Sequence, residues 1–98
     1  MIEVLDAEGN VVNRSKNMRG LRRLCRKWVV QSIRIGENDD SSGNLLVAFE
    51  KHVCEVHFAS FDVLKLCLRN WTNLRGVPLF INGVESGVVN YRNSSLCH

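Results

Sequence analysis

Between Met18 and Val29 the apolar positions keep the spacing of a helix. Met18, Leu21, Leu24, Cys25, Trp28 and Val29 recur at intervals of three, four and seven, which stacks their side chains on one face. At 100° per residue they span roughly 140°, the stripe of a helix with one side on a core. Asn17 stands just before them and can accept a hydrogen bond from the free N–H groups of a first turn. The pattern predicts a helix over 17–28, although Gly20 costs about 1 kcal/mol against alanine inside it. A second helix opens at Ser60 as N-cap, with Asp62 in the first turn where the dipole favours negative charge. Phe61, Leu64, Cys67, Leu68 and Trp71 form its core stripe. Val63 and Leu66 widen the apolar arc to roughly 220°, more than one sheet face normally covers. Either the segment Val77 to Tyr91 folds over this side, or these two residues meet a partner.

The strands show period two. Ile2 to Leu5 and Val11–Val12 flank a turn through Asp6–Asn10 and read as a hairpin. Val29 to Ile35 alternates, with Gln31, Ile33 and Ile35 predicted on one face and Ser32 and Arg34 on the other. Gly36 to Gly43 is polar throughout and reads as a mobile surface loop. Leu45 to Phe49 and Val53 to Ala59 are the next two strands. In the second, Cys54, Val56 and Phe58 alternate with Glu55 and His57. Thr72 to Gly76 is a loop, and Val77 to Ile81 is a strand whose Pro78 belongs at its start or at an edge. Asn82-Gly83 is a tight-turn signal, with the last strand expected over Gly87 to Tyr91. The tail from Arg92 to His98 is polar and expected to fray.

The element order is β-β-α-β-β-β-α-β-β. Two helices on one face of a mainly antiparallel sheet is the simplest layered solution, so the expected class is α+β. The 98 residues are too few for two cores, which makes 1–98 a single domain. Apolar residues form 45% of the chain, enough to fill one core. The longest apolar runs are three to five residues, far short of the roughly 20 that cross a bilayer. Met1-Ile-Glu-Val-Leu-Asp lacks the basic and apolar regions of a secretory signal, so the expectation is a cytoplasmic protein with no membrane partner. Cys25, Cys54, Cys67 and Cys97 stand 29, 13 and 30 positions apart and form no CxxC pair. They read as reduced thiols, two of them on helical apolar faces. The N-x-S/T triplets at Asn13, Asn70 and Asn93 carry no meaning without export.

Charge changes the picture more than composition does. The net value is a modest +3, but the segment from Arg14 to Lys27 holds seven basic residues and no acidic one. Within the first helix, Arg19, Arg22, Arg23, Arg26 and Lys27 fall opposite the apolar stripe. Like charges at i, i+4, such as Arg19 with Arg23 and Arg22 with Arg26, mildly destabilise a helix. Their concentration on one face suits a phosphate backbone or another polyanion. A solvated or internally paired face, or contact with an acidic protein, are the alternatives.

Other chemistry is thinly represented. Zinc wants four converging ligands, whereas Cys54 and His57 lie three apart on a strand and point to opposite faces. His52 and His57 read as surface residues of a hairpin. There is no G-x-S-x-G elbow, no phosphate-cradling glycine loop and no carboxylate pair set to split its pKa values. The expectation is a non-enzymatic protein without cofactor or metal.

Two resemblances bear on this. Asn17 to Trp71 has the α-β-β-β-α order of double-stranded-RNA-binding domains, which contact minor grooves and phosphates. The sequence departs from that family at the start of the second helix, where Ser60-Phe-Asp-Val-Leu replaces its lysine cluster. In addition, Ser15-Lys-Asn-Met-Arg-Gly-Leu21, Phe58-Ala-Ser-Phe-Asp-Val-Leu64 and Arg69-Asn-Trp71 resemble segments of small uncharacterised bacterial proteins of phages and mobile elements. They cover about a fifth of the chain. That resemblance implies no activity, and it favours a binding role such as inhibition of host machinery. The functional expectation is contact with nucleic acid or a nucleoprotein through Arg19, Arg22, Arg23, Arg26 and Lys27. The alternative is a protein-binding or self-associating module, a homodimer for example, using Val63 and Leu66. A small-molecule site between sheet and helices is a third class.

Overall fold

The computed structural model describes residues 2–6, 8–15 and 18–89, with 2–5 and 13–15 described as backbone only. The chain runs β1 (Ile2–Asp6), β2 (Val11–Ser15), α1 (Met18–Lys27), β3 (Val30–Glu37), β4 (Gly43–Phe49) and β5 (His52–Phe58). It continues as α2 (Phe61–Arg69), a 3-10 turn (Thr72–Leu74), β6 (Pro78–Ile81) and β7 (Val84–Val88). All seven strands join one sheet in the order β2-β1-β5-β4-β3-β6-β7. Every pairing is antiparallel except β3 with β6. The class is α+β, in the element order that the periodicities predict.

One sheet face makes the core. Ile33, Ile35, Leu45, Val47, Cys54 and Leu79 point to it and are buried, because alternate residues of each strand share a side. Leu21 of α1 and Phe61, Leu64 and Leu68 of α2 close over them. The opposite face is mixed: Arg34 lies 4.0 Å over the Phe80 ring, on a rung shared with Leu46 and exposed Glu55.

Glycine decides how closely α2 approaches. A Cβ at Gly43 would lie 2.9 Å from Phe61 Cδ1 and 3.2 Å from the Phe61 backbone Cα. The helix start is fixed there by Phe61 N–H donating to Ser41 O at 2.9 Å and Val63 N–H donating to Ser60 Oγ at 3.3 Å. Ser60 is therefore the N-cap its position suggested.

Several details differ from the sequence reading. Helix α1 ends at Lys27, so Val29 leaves the stripe and is 76% exposed, while Leu24 and Trp28 are half-buried. Between Val30 and Ser32 the register with β4 shifts by one residue. This bulge leaves Gln31 exposed and brings Val30 opposite buried Phe49. Helix α2 ends at Arg69, and Trp71 is buried as the residue before the 3-10 turn. The segment Asn38–Ser42 is tied by its own side chains: Asn38 Nδ2 donates to Ser42 Oγ at 2.9 Å, and Asp40 Oδ1 accepts from the Ser42 N–H and hydroxyl. These bonds hold the exposed Asp40 carboxyl below its ordinary range, with the Ser42 hydroxyl as the main cause. Strand β7 starts at Val84, because Asn82 (φ 51) and Gly83 (φ 81) complete a two-residue turn that fixes the register at once. Asn17, Tyr91, Cys97 and the tail 92–98 lie outside the described residues.

Candidate nucleic-acid interface

Helix α1 is held by Leu21 and Cys25 on its buried side, and that anchoring sends the cationic side chains outward. Arg19, Arg22, Arg23, Arg26 and Lys27 are all exposed. Spread over about 12 Å at 1.5 Å per residue, they match the axial reach of three to four phosphates of a strand. Among the described residues no carboxylate forms an ion pair with Arg22, Arg23, Arg26 or Lys27. The described ion pair lies elsewhere, between Lys65 and Asp62 of α2 at 3.2 Å. Internal pairing therefore does not neutralise these four cations within the described chain. Two smaller structural uses do exist. Arg26 and Lys27 in the last turn face the negative end of the helix dipole, and the Arg22 guanidinium lies 5.6 Å over the Trp71 ring.

At the C-terminal end of α1 the basic face runs into an open cleft of about 320 Å³. It is lined by Lys27, Trp28 and Val29 at the end of α1 and by Phe49, Glu50, Lys51 and His52 where β4 passes into β5. The Trp28 and His52 rings stack at 4.5 Å and 9°, and Trp28 meets Phe49 edge-on at 5.4 Å. His52 is thus half-buried against an aromatic partner, not a free surface residue as the hairpin pattern implied. Sequence reasoning left Trp28, Lys51 and His52 out of the site. Their one local signal is a lysine next to a ring in both Lys27-Trp28 and Lys51-His52. Comparison with known proteins finds no match: no family model, no curated protein and no solved structure.

Val63 and Leu66 of α2 are 55% and 53% exposed. The β6–β7 hairpin does not fold over them; it extends the sheet beside β3. Of the two outcomes left open by the sequence, burial under this hairpin is thereby overturned, because the parallel pairing of β6 with β3 carries it to the sheet edge.

Among the described residues the thiols and histidines do not gather into one site. Cys54 is buried while His57, three residues on, is exposed with Nδ1 3.1 Å from Asn44 Oδ1. Among the described residues no group of three or more His, Cys, Asp or Glu side chains is placed to hold a metal ion. Burial pushes the Cys25 thiol up to about 12, helped by Cys54, and the Cys54 thiol up to about 12, helped by the Glu55 charge. A thiol held so far from ionisation makes a poor nucleophile at neutral pH. No helix among the described residues is long and apolar enough to cross a membrane.

Proposed function

We propose that this protein is a non-enzymatic nucleic-acid-binding domain that holds the phosphate backbone on the exposed basic face of α1. The observation that carries the reading is the set Arg22, Arg23, Arg26 and Lys27, exposed together and without ion-pair partners among the described residues. Concentrated like charge destabilises an isolated helix; a polyanion neutralises that charge, and the basic side chains release the counterions condensed on it. The test is affinity for a short oligonucleotide as a function of salt. Four contacts to duplex DNA give a slope of log K against log salt of about −3.6. Arg23→Glu with Arg26→Glu weakens binding for all sequences alike and leaves the fold intact, since both side chains are exposed. Arg22 is spared because it covers buried Trp71. Absence of binding at low ionic strength, where attraction is strongest, refutes the reading.

A second reading rests on the exposed pair Val63 and Leu66. An apolar patch on one helix can satisfy itself across a two-fold axis, so α2 is proposed as a self-association surface. A monomeric mass at high protein concentration overturns it.

A further inference from the structure

We infer that the cleft between the end of α1 and the β4–β5 turn receives an unstacked nucleobase, so that the protein prefers single-stranded nucleic acid over duplex. The inference rests on the basic-face reading and specifies its ligand.

The chemistry of the cleft separates it from the face it adjoins. Along α1 the groups are cationic and open, suited to phosphates. The cleft instead presents aromatic and aliphatic surface, with charges of both signs at its margin. It is a space of about 320 Å³ lined by Trp28, Val29, Phe49 and His52. Both rings of the Trp28–His52 stack border it, and a flat heteroaromatic group extends such a stack. Lys27, Lys51 and Glu50 supply donors and acceptors at its margin, which match the mixed polar edge of a base. Val29, 76% exposed and lining the cleft, adds an apolar surface to it. Lys27 belongs to both the basic face and the cleft. A strand whose phosphates follow α1 therefore delivers a neighbouring base to the opening. Bases of a duplex are paired and stacked inside, so only a single strand can make both contacts. Stacking of this type is tolerant of sequence.

The test compares three probes at low salt: a twelve-nucleotide oligothymidylate, an abasic backbone of the same length, and a duplex of the same length. The two single strands carry equal charge and differ only in bases. Wild-type protein binds the oligothymidylate roughly 5- to 150-fold more tightly than the abasic strand, and more tightly than the duplex. His52→Ala brings the two single strands to nearly equal affinity, whereas Arg23→Glu with Arg26→Glu lowers both together. If His52→Ala does not fold, wild-type tryptophan emission decides: the oligothymidylate quenches it through Trp28 and the abasic strand does not, Trp71 being buried. Equal binding of both single strands with no difference in quenching, or tighter binding of the duplex, overturns the cleft and leaves the basic face standing. Failure of all three probes to bind overturns both.

Discussion

Replacing Gly43 by alanine tests the closest contact between helix and sheet. The added Cβ would sit 2.9 Å from Phe61 Cδ1, 3.1 Å from Leu64 Cδ2 and 3.2 Å from Phe61 Cα. A flexible side-chain end could swing aside, but the backbone Cα belongs to the first residue of α2. That residue is tied to Ser41 O through its N–H, and the Phe61 and Leu64 side chains are themselves buried. Relief therefore requires the start of α2 to move outward by a few tenths of an ångström. Overpacking of this kind costs about 1–3 kcal/mol. Alanine also restricts the unfolded chain and suits a strand better than glycine, which returns about 0.5–1 kcal/mol. The net expectation is a loss of about 1–2 kcal/mol. In urea the midpoint should fall by about 0.5–1.5 M with the slope unchanged. A neutral or stabilising Gly43→Ala would show that α2 does not lie this close to β4.

Leu68→Ala empties a fully buried position and should cost about 2–5 kcal/mol, while Leu24→Ala, at a half-buried site, should cost clearly less; denaturant titration ranks them. Cys67, half-buried, should be alkylated before Cys25 and Cys54 in the native protein, read by mass spectrometry of digests. For those two thiols the folded value of about 12 lies above the ordinary 9.0, so the folded state binds more protons between them. Their contribution to stability is thus full below pH 9 and is lost as pH rises towards 12, which melting in that window should record. Val63→Asp with Leu66→Asp should leave a folded chain, since both side chains are exposed. If the wild type sediments as a dimer, this variant should sediment as a monomer.

Periodicity alone determined the element order and the class. Ile33, Ile35, Leu45, Val47 and Cys54 are buried at the alternation their sequence shows, and Leu21, Leu64 and Leu68 at helical spacing. Burial of one face imposes that rhythm on the local chain, so it can be read locally. The outward set from Arg19 to Lys27 was legible for the same reason: it is the complement of a buried stripe. What pairing across the sheet settles left no local trace. Gln31 turns outward because of the bulge in the pairing of β3 with β4, and the choice is made by a strand more than ten residues away. The exposure of Val63 and Leu66 depends on β6 pairing parallel to β3, a partner chosen from several strands with similar patterns. The cleft depends most on tertiary structure. It exists because the β4–β5 turn brings Phe49, Lys51 and His52 against the end of α1. No interval within one element encodes a meeting of residues more than twenty positions apart, which only the packed sheet and helix bring into contact.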